Sequence, residues 1–157
     1  MANKLETHVR KLAMELHSIQ CARLYKIPND IKMVDGQIIH AEQTPVDFIG
    51  FTITGRVILL ECKICTTKSL PLGPRGLKAH QQIAINEAHK AGGLGLLAWQ
   101  HGLKVAVIDA GQVNVYRKGK KSIAWKDIPD KFKHELDELA EQFFWPFLSS
   151  AASGSSR

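Results

Sequence analysis

The chain has 157 residues, 45% of them hydrophobic and 23% charged, a composition that excludes a disordered or fibrous protein and suits one domain with its own core. Its three cysteines (Cys21, Cys62 and Cys65) are too few and too unevenly spaced for a disulfide framework, and no apolar run approaches the roughly eighteen residues of a membrane-spanning helix. The net charge of +6 suits a polyanionic partner without requiring one, and the lack of a signal-peptide pattern at the N-terminus predicts an intracellular protein.

Residues 4–20 carry apolar side chains at helical spacing. Leu5, Val9, Leu12, Leu16 and Ile19 form one stripe, with His8, Lys11, Glu15 and Ser18 off it, which is the pattern of an amphipathic helix. Asn3 and Glu6 stand at capping-box spacing and supply its start. Pro28-Asn29-Asp30 breaks the pattern, and Asp35-Gly36 predicts a short hairpin or projecting loop within residues 31–45. Residues 46–53 and 57–63 are rich in β-branched and aromatic side chains on either side of Thr54-Gly55, so they predict a β-hairpin. Residues 64–77 are polar, contain Pro and Gly, and predict a loop.

A second helix is expected over 78–91, stopped by Gly92-Gly93. Strands are expected at 94–99 and 104–109, with a further candidate at 113–116. The basic run Arg117-Lys118-Gly119-Lys120-Lys121 leads to a last helix over 131–144, and the small polar residues at the end predict a disordered tail over 149–157. Phe143, Phe144, Trp145 and Phe147 around Pro146 read as a cluster that packs against the core or a second subunit. The order of elements predicts an α/β fold, a central mixed β-sheet flanked by helices, in a single domain over 1–148.

One stretch carries chemistry. Thr44-Pro45-Val46-Asp47 is followed, fourteen residues after the aspartate, by Glu61-Cys62-Lys63 at the end of an apolar run. Two carboxylates can hold Mg²⁺, a hard cation that prefers oxygen. A lysine two residues on can stabilise charge developing on a phosphate or help deprotonate an attacking water. Strand alternation places Glu61 and Lys63 on one face with Val57 and Leu59, and two charges ending an apolar face are costly unless something compensates them.

The face of Asp47 depends on hairpin register. A two-residue turn at Thr54-Gly55 sets Asp47 opposite Cys62, whereas an odd-length turn or a bulge brings it opposite Glu61 or Lys63. A nuclease site therefore predicts an odd-length turn or a bulge. On spacing alone the alternative stands level: Asp47 caps a strand start, and Glu61 and Lys63 form a solvated strand end.

The run TPVDFIGFTITGRVILLECKICTTKSLPL, followed by KAHQQIAINEAHKAGG, resembles the RecU-type Holliday junction resolvases of the PD-(D/E)XK nuclease superfamily. The resemblance covers residues 3–110 and is strongest over 44–93. It rests on a T-x-x-D strand, a Gly-containing turn, an E-x-K strand, Ser69-Leu70-Pro71-Leu72, His80-Gln81 and the Gly92-Gly93 stop. It implies a restriction-endonuclease-like core and a metal-dependent endodeoxyribonuclease that resolves four-way junctions by paired symmetric nicks, leaving 5′-phosphates. Asp47 and Glu61 are implied as metal ligands, helped by the Cys62 backbone carbonyl, with Mg²⁺ as cofactor and Mn²⁺ as substitute. Lys63 is implied to position or activate the water, and Gln81 to orient it.

Glu6, Thr44 and His80 are implied as additional site residues, although Glu6 reads more readily as half of a capping box. Arg75, Lys78, Arg117, Lys118, Lys120 and Lys121 are the candidate contacts to the DNA backbone. Branched DNA and a second copy of the chain in a homodimer are the implied partners, and the cytoplasm of a bacterium or a bacteriophage-infected cell the implied setting. The chain departs from the family pattern in two places. The segment 32–43, where relatives carry a stalk that enters the junction, is short, and the neighbours of Asp47 are Val46 and Phe48 rather than a second acid.

Two other functions remain open from sequence alone: a superfamily endonuclease with another DNA target, restriction-like or nicking, and a non-catalytic DNA-binding subunit. Cys62 and Cys65 form a C-x-x-C without a second pair, so Cys62 reads as a small buried hydrophobe rather than a zinc ligand.

Overall fold

A computed structural model describes residues 4–28, 31–40 and 44–136. The expected cap at Asn3, the aromatic cluster 143–147 and the expected tail lie outside the described residues.

Helix α1 (Lys4–Ser18) buries Leu5, Val9, Leu12 and Leu16, as the apolar stripe requires. It stops short of the expected end. Gln20 takes a left-handed φ of 54°, the Cys21 N–H returns to the Leu16 carbonyl, and Ile19 is left exposed. That turn feeds β1 (Ala22–Lys26), a strand with no counterpart among the sequence expectations. Five residues with Arg23 and Lys26 among them are too short and too charged to display a period of two. The Asp35-Gly36 turn then joins β2 (Ile31–Val34) to β3 (Gln37–His40) in a two-stranded sheet of their own, the hairpin that the sequence predicts.

Strands β4 (Phe48–Thr52) and β5 (Val57–Ile64) form the second hairpin. Its loop is odd in length. Phe51 stands opposite Val57, and the Thr52 N–H bonds to the Arg56 carbonyl at 2.8 Å, which leaves residues 53–55 as the loop. Gly55 makes this possible, because its φ of 84° lies where side-chain-bearing residues are disfavoured. The register runs on to Phe48 opposite Leu60, so Asp47, one residue before β4, arrives beside Glu61.

The chain continues through β6 (Ser69–Pro71), which lies inside the segment expected to be a loop, into α2 (Ala79–Lys90), β7 (Leu94–His101) and β8 (Lys104–Asp109). The six-stranded sheet has the order β1-β4-β5-β7-β8 and then β10 (Lys133–Glu135). Only β5 and β7 run parallel, with α2 in the crossover between them; the other neighbours are antiparallel. A third small sheet pairs β6 with β9 (Ser122–Ala124).

Two expectations fail in this half. Residues 113–116 are not a strand; they belong to helix α3 (Ala110–Arg117). Asp109 caps it, its carboxylate accepting from the Gln112 N–H at 2.8 Å while the Gln112 side chain accepts from the Asp109 N–H at 2.9 Å. This reciprocal cap overrides the strand preference of Val113, Val115 and Tyr116. Nor does a helix run from Lys131: a 3₁₀ turn (Asp130–Phe132) gives way to β10, because pairing with β8 satisfies that backbone. Residues 137–144 of that expected helix lie outside the described residues.

The core has two layers. On one face of the sheet α1 packs over Leu24, Phe48, Ile58, Leu60, Leu96 and Val107. On the other, α2, α3 and the β6–β9 ribbon cover Leu97, Trp99 and Ile108. Among the described residues nothing covers that second face over β1 and β4, where Tyr25, Ile49 and Phe51 are exposed, with Val57 beside them. Helix α2 sits close on the covered half because position 95 has no side chain. A Cβ there would lie 1.8 Å from the Ile85 carbonyl oxygen. Among the described residues no helix is long and apolar enough to cross a membrane.

Candidate metal-dependent nuclease site

Glu61 lies near the end of β5, and only 1% of it is exposed. Burial of a carboxylate requires partners, and two are present. The Gln81 side-chain N–H donates to Glu61 Oε1 at 2.6 Å, and Lys63 Nζ reaches the same oxygen at 2.8 Å. Gln81 projects from the first turn of α2, and its carbonyl accepts from the Lys78 N–H at 2.9 Å. Each end of the Gln81 amide therefore has its own partner, which sets its orientation; the reverse would press a carbonyl against a carboxylate. The other Glu61 oxygen, Oε2, is buried without a hydrogen-bond partner. Burial, and then the negative charge of Asp47, push the Glu61 carboxyl up to about 7, against the opposing pull of Lys63 and of the Asp47 backbone N–H.

Asp47 is tied down from both sides. Its backbone carbonyl accepts from the Ile27 N–H at 2.8 Å, and its Oδ2 accepts from the Cys62 N–H at 2.9 Å. Its Oδ1 faces Lys26 Nζ at 3.3 Å, and the same ammonium lies 3.6 Å from Glu6 Oε2. Lys26 also sits over the Phe48 ring. The structure thus brings Asp47, Glu61, Lys63 and Gln81 together, with Glu6 beside them through Lys26. Thr44 stands three residues before Asp47 and is half-buried, and His80 is half-buried on the first turn of α2.

Lys26 is the site residue that sequence reading missed. It lies on the strand that was missed, with the β2–β3 hairpin between it and Asp47. The pairing of β1 with β4, which sets Lys26 opposite Phe48, brings it to Asp47, and no local pattern in the sequence marks that pairing.

The candidate DNA contacts divide. Arg75 and Lys78 are exposed in the loop that leads into α2, at the end from which Gln81 projects. Lys118, Lys120 and Lys121 are exposed beyond α3, and the Leu72 N–H bonds to the Lys121 carbonyl, so the two basic loops adjoin. Lys120 pairs with Asp127 at 3.0 Å. Arg117 is not in a free loop as the basic run suggests: it ends α3, and its guanidinium donates to Gln82 on α2.

The residues present fit a divalent cation bound by oxygen. The supporting observation is Glu61 Oε2, a buried carboxylate oxygen beside Asp47 that no protein donor satisfies. Among the described residues no three His, Cys, Asp or Glu side chains converge on one point. An ion here would rely on two carboxylates and a backbone carbonyl, the sparse ligation that Mg²⁺ accepts while keeping waters. Thiolate ligation is a poor fit. Burial, reinforced by the charges of Asp47 and Glu61, pushes the Cys62 thiol up, and Cys62 packs in the α1 core while Cys65 packs against the opposite one.

No family model matches the chain, and no curated protein matches it in sequence. Among solved structures it is similar to Hjc of Archaeoglobus fulgidus, a Holliday junction resolvase from an archaeal hyperthermophile. The TM-score is 0.50 at 15% identity, over 86% of this chain and 98% of that one. The chain has the fold of that resolvase nuclease. The expected mixed sheet flanked by helices is therefore the observed architecture, and within this fold the four polar residues meet where the start of β4, the end of β5 and the first turn of α2 come together.

Proposed function

We propose that this chain is a divalent-metal-dependent endodeoxyribonuclease of the RecU type that resolves four-way DNA junctions. The observation that carries the reading is the meeting of Asp47, Lys63 and Gln81 at Glu61, whose Oε1 takes Lys63 and Gln81 and whose Oε2 is buried without a hydrogen-bond partner, on a resolvase-like sheet. Asp47, Glu61 and the Cys62 carbonyl would hold Mg²⁺, with Mn²⁺ as substitute. That ion supplies Lewis acidity and a nucleophilic water at neutral pH.

The protein's own part follows from the geometry. Gln81 and Lys63 share Glu61 Oε1, which fixes the carboxylate and leaves Oε2 without a hydrogen-bond partner. Lys63 is only partly buried, so its ammonium can also meet a phosphate oxygen and stabilise the charge that develops during in-line attack. The Cys62 N–H holds Asp47 Oδ2, so both carboxylates are positioned by β5. The products would carry 5′-phosphates.

Arg75, Lys78, Lys118, Lys120 and Lys121 would hold the sugar–phosphate backbone, so binding should weaken steeply with salt. The β2–β3 hairpin, paired only with itself, would take the stalk's place at the junction. A homodimer would match the two-fold symmetry of the substrate and make two like cuts.

The test is incubation of the protein with a labelled immobile four-way junction and with a linear duplex of the same arms, each with Mg²⁺ and with EDTA. Paired nicks in the junction only, abolished by EDTA and lowered about 10³-fold in Glu61→Gln, are the expected result. Equal cutting of both DNAs would sink junction specificity. Tight binding with no cutting would sink the nuclease.

A further inference from the structure

The two carboxylates at the site are each held by a lysine, but the two lysines differ in kind. Lys63 binds Glu61 through Oε1, leaving Oε2 without a partner. Lys26 stands on Asp47 Oδ1, and the other Asp47 oxygen already accepts from the Cys62 backbone. Each Asp47 oxygen thus already has one partner, and Oδ1 faces an ammonium that repels a cation. A cation that takes Glu61 Oε2 and also draws on Asp47 has to compete with Lys26.

Lys26 is built to yield. Its contact with Asp47 is the longer kind, 3.3 Å, against 2.8 Å for Lys63 on Glu61. It has a second carboxylate within reach, Glu6 at 3.6 Å, and an aromatic face at Phe48 with the ring centroid 5.5 Å away. Leaving Asp47 would not strand the ammonium, since Glu6 and the Phe48 ring would still hold it. Its side chain is 15% exposed, so Coulomb forces there are only partly screened by water.

We propose that Lys26 is an exchangeable internal counter-ion: it neutralises Asp47 while no divalent ion is bound and moves toward Glu6 when one is. It is a positioning residue that sets the affinity of the ion site and the threshold at which the site is charged. This rests on the reading of Asp47 and Glu61 as cation ligands. It makes a prediction opposite to that for a residue that merely braces Asp47, because removing the competitor should tighten ion binding.

The experiment is Mn²⁺ titration without DNA, read by calorimetry and by the loss of free-ion electron paramagnetic resonance signal. The proteins compared are the wild type, Lys26→Met, Lys26→Arg and Glu61→Gln. Melting temperatures in EDTA and in excess Mg²⁺ accompany the titration. Lys26→Met keeps the length over Phe48 and removes the charge. It should bind Mn²⁺ about tenfold more tightly, melt lower than wild type in EDTA, and lose that deficit in Mg²⁺.

Lys26→Arg keeps the charge and can clamp both Asp47 oxygens, so it should bind Mn²⁺ more weakly than wild type. That arm decides the matter if Lys26→Met does not fold. Mn²⁺ binding by the wild type with equal or weaker binding by Lys26→Met, or undiminished binding by Lys26→Arg, would overturn the counter-ion role and leave the ion site standing. No Mn²⁺ binding by the wild type would overturn the ion site itself, and the counter-ion with it.

Discussion

The two halves of the candidate site are built differently. The Glu61 half stands on a central strand: β5 is flanked by β4 and β7, α2 closes over it, and its bonds run from 2.6 to 2.8 Å. The Asp47 half stands near the sheet edge, preceded by residues 41–43 and the β2–β3 hairpin, and its ion pairs run from 3.3 to 3.6 Å. The first half is a fixed frame whose geometry is set by packing. In the second, the Ile27 and Cys62 N–H groups hold Asp47, and the looser contacts are its ion pair with Lys26 and that of Lys26 with Glu6. On the proposed function, a site that takes up an ion and then a large polyanion would gain from having one of each.

The largest blow to the fixed half should come from Gly95→Ala. The new Cβ would stand 1.8 Å from the Ile85 carbonyl oxygen, which pushes α2 off β7 and draws Gln81 away from Glu61. Chemical denaturation should show a loss of about 1–3 kcal/mol. The Mn²⁺ affinity should fall with it, although residue 95 is not at the site.

A pH titration of melting temperature in EDTA separates the halves next. The Glu61 carboxyl sits at about 7 in the folded protein, against an ordinary value of 4.5. Below 4.5 both the folded and unfolded states hold the proton, and its contribution to stability is complete. Between 4.5 and 7 the unfolded chain ionises while the folded one does not, so stability is lost as pH rises through that window. Glu61→Gln should remove this drift. Asp47→Asn, which takes away only the neighbouring negative charge, should narrow it. A drift unchanged in Glu61→Gln would assign it to another group.

The smallest expected effect is that of Gln81→Ala, which deletes the bonds to Glu61 and to the Lys78 N–H. About 1–2 kcal/mol of stability should go. The loss in nicking should exceed what that change alone explains, because Lys63 would then hold Glu61 without help. An unchanged nicking rate would show that Lys63 suffices as the frame.

The fixed half was legible in the sequence; of the other half Asp47 and Glu6 were, and Lys26 was not. Glu61 and Lys63 fall two apart at the end of an apolar strand, where local pattern finds them, and Gln81, in the first turn of a helix closed by Gly92-Gly93, came from the family resemblance. The odd-length loop at 53–55 followed from demanding that Asp47 meet Glu61, and the observed register agrees. Lys26 escaped because β1 is a short edge strand whose identity comes from pairing with β4 rather than from periodicity. The errors at 113–116 and 131–135 have one cause. A cap at Asp109 and a partner strand at β8 outweigh the local preferences of the residues concerned.

The three-residue loop at 53–55 also restricts how this region can be edited. Adding two residues there lengthens the hairpin by one rung and keeps the same side chains on each face of the sheet. Closing it instead as a two-residue turn at Thr54-Gly55, with no residue removed, pairs Ile53 with Arg56, slides β4 by a step and sends Asp47 to Cys62. Designers who graft this hairpin, and lineages that diverge from it, are therefore held to its register rather than its length: a change that re-pairs Ile53 can silence the site without touching any residue in it.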